Sequence, residues 1–89
     1  MIRVAKSARF QRAYKKMIQG RPALQAKFSE KIRLFIEDPH HPSLDTHSLS
    51  GKLDGLWAFS LTFKLRVVFA FNDATSVTLE NIGPHDAVY

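Results

Sequence analysis

The sequence contains no cysteine, which excludes a disulfide framework and any metal site built on thiolates. No apolar run approaches the length of a membrane span. Met1 leads directly into a short strand-like segment, so no signal peptide is expected. These absences predict a soluble, cytoplasmic protein.

Acidic residues are absent from the first third of the chain. Residues 1–29 contain eight lysines and arginines, whereas the remaining residues hold five basic groups against all eight acids. The eight cations are Arg3, Lys6, Arg9, Arg12, Lys15, Lys16, Arg21 and Lys27. A solvated helix face is the simplest interpretation of a basic helix, but like charges four residues apart repel each other. The asymmetry therefore indicates a polyanion or an acidic protein as partner.

Length and hydrophobic content predict one small domain that spans residues 1–89. A chain of 89 residues buries about 60–65% of its unfolded surface, by interpolation of the size scaling. Hydrophobic residues make up 45% of the sequence and include seven phenylalanines and one tryptophan. This content is enough for a modest core without disulfides.

The first half of the chain predicts a short strand and two helices. Residues 2–5 form the strand, and Ser7 is a suitable N-cap for a helix whose apolar positions recur at helical spacing as far as Gly20. Pro22 opens a second amphipathic helix in its first turn, and Pro39 ends it. The link between the two helices is short, so they form a helical hairpin.

The second half of the chain predicts strands. Residues 57–71 alternate between apolar and smaller or polar groups, but this run is too long for one ordinary strand of about 5–6 residues. We therefore expect a reversal near residues 62–65, a clearer turn at 72–75 and a last strand at 77–82. The fold class is α+β in the order β-α-α-β-β-β. A two-helix hairpin packed on one face of a small antiparallel sheet satisfies this pattern.

Three segments carry a resemblance to a known family. They are residues 49–57 (LSGKLDGLW), 65–69 (LRVVF) and 82–89 (IGPHDAVY). In their order and spacing these segments resemble the RelE/ParE superfamily of bacterial toxins, and in particular the RelE- and YafQ-type mRNA interferases. The resemblance extends over nearly the whole chain, including the basic helical hairpin.

The resemblance implies the toxin of a type II toxin-antitoxin system. Such toxins cut messenger RNA in the ribosomal decoding site, where a 2′-hydroxyl attacks the adjacent phosphate without the help of a metal. The implied partners are an acidic antitoxin, the ribosome and mRNA, and no cofactor is expected. Two alternatives remain open: a ParE-like toxin that poisons DNA gyrase, and a non-catalytic module of the same fold that binds RNA or protein.

Arg66 and His85 are the first candidates for this chemistry. Arg66 carries a bidentate guanidinium that stays charged, and its apolar neighbours Leu65 and Val67 predict that it points to the opposite face of the strand. A cross-strand ion pair is its alternative role. His85 follows Gly83 and Pro84 at a strand end, where a side chain that titrates near neutrality can enter a cleft.

Tyr89 and His47 complete the catalytic set that the resemblance implies. Tyr89 matches a terminal aromatic residue that stacks on a base or assists proton transfer in relatives. His47 matches a histidine that precedes the L-x-G segment in YafQ-like members. Together with His85, these two residues would have to supply the base and the acid.

Five further cations are candidates for contact with RNA or the ribosome. Arg12, Lys15 and Lys16 lie on the first predicted helix, and Lys52 and Lys64 lie near predicted turns. An ordinary surface position is the alternative for both lysines of the second group.

Two observations limit the chemical groups that the candidate site can offer for catalysis and for metal binding. Some relatives use paired lysines beside the phosphate, and others place a carboxylate or a further histidine in the strand that corresponds to residues 58–64, where Ala58 and Ser60 offer no such group. The neighbouring residues His40 and His41 would point apart and have no carboxylate cluster beside them, so a metal site is not expected.

Overall fold

The computed structural model describes residues 1–89, with the exception of the Ala87 side chain. Five strands form a sheet in the order β1-β5-β4-β3-β2. The elements are β1 (Arg3–Lys6), α1 (Ala8–Met17), α2 (Pro22–Glu37), β2 (His47–Ser48), β3 (Trp57–Ser60), β4 (Leu65–Asp73), β5 (Ser76–Pro84) and α3 (His85–Val88). The α+β class and the predicted order are confirmed, and the short elements β2 and α3 add to them.

The sheet is mixed, which corrects the expectation of a wholly antiparallel sheet. Strand β1 pairs with β5 in parallel, with Val4 opposite Val77, whereas the other three pairings are antiparallel. A parallel pairing requires a long crossover, and the helical hairpin between β1 and the rest of the sheet provides one. The first strand therefore lies at the edge opposite β2.

The helical hairpin has the boundaries that its capping residues predict. The Ser7 hydroxyl accepts a hydrogen bond from the Phe10 N–H at 3.0 Å, which satisfies one of the unpaired donors at the start of α1. Gly20 has φ of +80°, a conformation that residues with a Cβ adopt at a cost, and it reverses the chain before Pro22 opens α2.

The main core lies between this hairpin and one face of the sheet. Phe35 of α2 is fully buried and stacks on Phe59, with ring centroids 4.8 Å apart, and it meets the edge of Phe69 at the same distance. Phe10 and Phe28 join the two helices at 6.0 Å. Each buried phenylalanine stabilises the fold by roughly 1.5–3 kcal/mol, so this aromatic cluster holds the two layers together.

A smaller apolar cluster lies apart from the main core. Ala58 of β3, Val68 of β4 and Val88 of α3 are buried together, with Leu49 and Leu56 packed around them. Ala58 and Val68 are register partners and alternate with the core residues of their strands. Val88 therefore anchors the end of the chain on the sheet face that the helical hairpin leaves uncovered.

The reversal between β3 and β4 occurs where the strand length predicted it. The Thr62 hydroxyl accepts hydrogen bonds from the N–H groups of Lys64 and Leu65, at 3.3 and 3.1 Å. Phe63 lies at the tip of this turn with 91% of its surface exposed. Strand β3 ends at Ser60 and β4 begins at Leu65, so Phe63 lies inside the reversal that was expected near residues 62–65.

Candidate functional site

Arg66 lies near the start of β4, on the sheet face that carries the smaller apolar cluster. Its register partners are Ser60 on β3 and Gly83 on β5. The guanidinium donates from Nη1 to the carbonyl oxygens of Thr62 and Phe63, at 3.0 and 2.9 Å. All of the hydrogen bonds described for this side chain use Nη1, so Nε and Nη2 remain to bind an anion.

His47 and Tyr89 meet across the sheet. The Tyr89 hydroxyl lies 3.3 Å from Nε2 of His47. Strand β2 places His47 opposite Ala58, and the anchored Val88 brings Tyr89 over the same region. The other ring nitrogen of His47, Nδ1, is 2.9 Å from the Asp45 carbonyl oxygen, which can only accept. Nδ1 therefore carries the proton, and Nε2 of the neutral ring is the acceptor for the tyrosine hydroxyl.

His85 packs against the same tyrosine ring. The centroids of the two rings are 4.3 Å apart in an edge-to-face arrangement. Nδ1 of His85 is 3.5 Å from the Asp86 carboxylate, and both side chains are exposed. Tyr89 thus contacts two histidines, His47 through its hydroxyl and His85 through its ring.

The electrostatic surroundings of Tyr89 connect it to Arg66. Partial burial raises the pKa of the phenol above its ordinary value, the Arg66 cation acts in the opposite direction, and Asp45 adds to the rise. The phenol therefore stays protonated at neutral pH and can donate its proton.

Two grooves border these residues, each with a volume of about 450 Å³. The first is lined by Lys27 and Lys31 of α2, by the turn around Phe63, by Asp45 and by Arg66. The second contains His47, Tyr89 and Lys52, together with residues 48–50 and Leu53. Ser60, the register partner of Arg66, also lines the first groove.

The structure separates the candidate residues into three groups. It brings His47, His85 and Tyr89 together and places Arg66 close enough to Tyr89 to influence its ionisation. Lys52 lies in the second groove, and Lys64 is exposed in the turn after Phe63. The remaining cations of the set, Arg12, Lys15 and Lys16, are exposed on α1.

The basic surface of the first 29 residues has few internal partners. Among the described side chains, no salt bridge involves any cation from Arg3 to Arg21, and all of these cations are exposed. Lys27 makes one surface ion pair with Glu30, at 3.6 Å. The positive charge of this surface is therefore available to a partner.

Sequence reasoning missed Lys27, Lys31 and Asp45 as residues beside Arg66. The two lysines are four positions apart and so share one face of α2, which is a detectable signal. The proximity of that face to the β3–β4 turn depends on how α2 crosses the sheet. Asp45 has φ of +51°, a left-handed conformation that the sequence around it did not indicate.

His40 and His41 contribute to the loop rather than to the candidate site. His40 packs edge-on against Trp57, with ring centroids 5.7 Å apart. His41 accepts a hydrogen bond at Nδ1 from the Ser43 N–H, at 3.1 Å. Among the side chains that the structure describes, no group of three or more histidines, aspartates or glutamates is arranged to hold a metal ion. The described helices also include none that is long and apolar enough to cross a membrane.

Comparison with solved structures places this fold among bacterial toxins. YafQ from E. coli has a TM-score of 0.80 at 16% identity, over 100% of this chain and 99% of that chain. A YoeB/ParE toxin from Agrobacterium tumefaciens has a TM-score of 0.79 at 15% identity, over 94% and 99% of the two chains. The match to a YoeB–YefM complex from Staphylococcus aureus has a TM-score of 0.75 at 15% identity, over 96% and 98%.

Comparison by sequence finds no match: no family model and no curated protein is similar to the chain at a significant level. The similarity therefore concerns the fold, and it agrees with the fold implied by the resemblance of the three sequence segments. The chain has the fold of the RelE/ParE-like toxin superfamily.

Proposed function

We propose that this protein is the toxin of a type II toxin-antitoxin system and that it cleaves mRNA bound to the ribosome. The observation that carries the proposal is the Tyr89–His47 contact of 3.3 Å, with His85 against the same tyrosine ring and Arg66 nearby. A cation that can bind an anion and two histidines in contact with a protonated phenol are groups that can carry out phosphodiester cleavage.

In the proposed reaction, the 2′-hydroxyl of a nucleotide attacks its own 3′-phosphate. A cyclic phosphate forms, the bond from phosphorus to the 5′-oxygen breaks, and the 5′-oxygen leaves as a hydroxyl. Arg66 binds the nonbridging oxygens through Nε and Nη2 and stabilises the charge of the pentacoordinate phosphorus. The attacking group is part of the substrate, so the main task of the protein is to hold the geometry and move two protons.

We assign the base to His47 and the acid to His85. Nε2 of His47 already accepts from the Tyr89 hydroxyl, so the proton of the 2′-hydroxyl can pass to Tyr89 as the proton of Tyr89 passes to His47. His85 is exposed beside the same ring and, in its protonated form, donates to the departing 5′-oxygen.

The basic surface supplies the proposed docking contact. Arg12, Lys15 and Lys16 are exposed and carry no described salt bridge, so they can neutralise phosphates of ribosomal RNA. Lys52 lines the second groove and Lys64 is exposed in the β3–β4 turn, and both are proposed to contact the mRNA backbone.

An antitoxin is the proposed protein partner. One structural neighbour is a YoeB–YefM complex. The positive charge of residues 1–29 fits an acidic, partly disordered segment that folds as it binds and covers the region of Arg66 and His85.

Primer extension on cellular mRNA after induction tests this proposed function. Cleavage within translated regions, lost when translation is blocked beforehand, is the expected result. Growth arrest without new mRNA ends would contradict the proposal and favour a ParE-like action on DNA gyrase. An Arg66→Ala variant with the wild-type circular dichroism spectrum is the matched control, because it keeps the fold and loses the phosphate ligand.

A further inference from the structure

Phe63 is a large apolar side chain with nothing to pack against, since 91% of its surface is exposed. It lies in the β3–β4 turn and lines the groove that Arg66 shares with Lys27 and Lys31. Burial in the core therefore does not explain an aromatic residue at this position. An aromatic ring beside three cations has the composition of a site for single-stranded nucleic acid, in which a base stacks on the ring and phosphates meet the cations.

We propose that this groove is a nucleotide subsite in which the Phe63 ring stacks on the base next to the cleavage point. The subsite deepens the proposed function, because Arg66 belongs both to the groove and to the proposed cleavage site. A strand whose scissile phosphate lies on Arg66 would continue directly into the groove.

The turn that carries Phe63 is held by hydrogen bonds before any ligand arrives. Arg66 donates from Nη1 to the Thr62 and Phe63 carbonyl oxygens, and the Thr62 hydroxyl accepts from two N–H groups of the turn. Binding would therefore immobilise little new backbone, which lowers the entropic cost of stacking. The same bonds couple the position of the ring to the position of the guanidinium.

The charges lining the groove suit a nucleotide. Lys27 and Lys31 lie one helical turn apart on α2, and Lys31 is oriented by a 3.2 Å hydrogen bond from Nζ to the Ser43 carbonyl oxygen. These two lysines would bind the phosphate. Asp45 also lines the groove and would repel a phosphate, but its carboxylate can accept a hydrogen bond from the amino group of a base. The volume of about 450 Å³ lies within the range of small-ligand sites.

The proposal is tested with an oligonucleotide that cannot be cleaved. A short, labelled RNA with 2′-O-methyl groups on every ribose lacks the attacking hydroxyl, and fluorescence anisotropy of the full chain gives its dissociation constant. Stacking on an aromatic ring predicts that Phe63→Ala weakens binding by roughly five-fold or more and that Phe63→Trp restores it. The Phe63→Leu variant, which keeps apolar volume without a ring, should resemble Phe63→Ala.

Abasic oligonucleotides identify the base that is stacked. Removal of the base that stacks on Phe63 should weaken binding to the wild type, and it should not weaken binding to Phe63→Ala any further. Lys31→Ala should reduce the salt dependence of binding by about one phosphate contact. Arg33→Ala is its matched control, because it removes one cation from the same helix outside the groove, and it should reduce this dependence less than Lys31→Ala does. All Phe63 variants should keep the wild-type thermal unfolding, since the side chain is exposed.

The result distinguishes this subsite from the proposed function. Binding that depends on Phe63, in a protein that leaves cellular mRNA intact, would support the subsite and remove the endonuclease. Equal affinities for the wild type, Phe63→Ala and the abasic series would overturn the subsite even if mRNA is cut. Loss of affinity for a co-purifying acidic protein in Phe63→Ala, with RNA affinity unchanged, would also overturn it and assign the groove to that protein.

Discussion

The Tyr89 hydroxyl lies 3.3 Å from Nε2 of His47, although 42 positions separate the two residues in the chain. The contact depends on two features that are remote from each other. Strand β2 pairs His47 with Ala58, and Val88 packs on Ala58 and so holds the following residue over the strand. The smaller apolar cluster therefore positions the polar residues of the candidate site.

Replacement of Arg66 should remove activity with little loss of structure. We expect Arg66→Ala to lower ribosome-dependent cleavage by about 10²–10³-fold, the usual cost of losing a donor to a developing anion. Arg66→Lys keeps the positive charge but loses the planar, bidentate guanidinium, so its cleavage rate should lie between those of the wild type and Arg66→Ala. The measurement is the cleavage rate on programmed ribosomes, with Arg33→Ala as control. Wild-type growth arrest by a folded Arg66→Ala protein would remove Arg66 from the site.

His47 and Tyr89 should behave as one unit. If Tyr89 passes a proton to His47, then His47→Ala and Tyr89→Phe each lower the rate by about 10²–10⁴-fold, and the double variant is little worse than either. If the rate losses of the two single variants multiply in the double variant, proton transfer from Tyr89 to His47 would be contradicted.

His85 should act separately from that pair. We expect His85→Ala to remove the acid and, combined with Tyr89→Ala, to abolish growth arrest. Because one histidine must be neutral and the other protonated, the pH–rate profile of the wild type should be bell-shaped. In His85→Ala the alkaline limb of the profile should be lost. Loss of the acid limb instead would reverse the two roles, and an unchanged profile would remove His85 from the reaction.

Charge reversal on α1 should weaken the docking contact. Substituting Arg12, Lys15 and Lys16 by Glu removes counterion release at each phosphate, so ribosome affinity and its salt dependence should both fall. Thermal unfolding should change little, because all three side chains are exposed. Sedimentation with ribosomes across a salt titration measures this. Each single reversal on α1 is also compared with Arg33→Glu, which changes the net charge by the same amount on α2. Unchanged ribosome binding in the triple variant would exclude this surface of α1 as the docking contact.

A silencing partner should be required for expression. The wild type should yield little protein alone and much more when produced with its acidic partner, whereas Arg66→Ala should be produced freely in both cases. Unimpeded growth and high yield of the wild type alone would contradict the toxin proposal.

Asp73 should make stability depend on pH in the acid range. Hydrogen bonds from the Thr75 backbone N–H and hydroxyl lower the pKa of this carboxyl below its ordinary value of about 3.9. Its contribution is therefore complete above that value and is lost as the pH falls through the lowered pKa. Urea unfolding at a series of pH values should show a weaker acid dependence for Asp73→Asn than for the wild type. If the stability of the two proteins depends on pH in the same way, the Asp73 carboxylate does not contribute to the acid dependence.

Much of the local structure was predictable from the sequence because it depends on neighbouring residues. Ser7 caps α1, Pro22 opens α2 and the strand length requires a reversal near residues 62–65, and each of these features is present. The alternation around Leu65 and Val67 also predicted that Arg66 faces away from the main core, as its register partners Ser60 and Gly83 show.

Tertiary structure alone decided which distant residues meet. Phe35 of α2 stacks on Phe59 of β3 with ring centroids 4.8 Å apart, and the spacing of apolar residues within either element does not specify this pairing. The parallel pairing of β1 depends on the crossover, and the approach of Lys31 to Arg66 depends on how α2 crosses the sheet. Residue spacing determines periodicity and turns through short-range interactions, whereas these contacts arise only when the two layers pack.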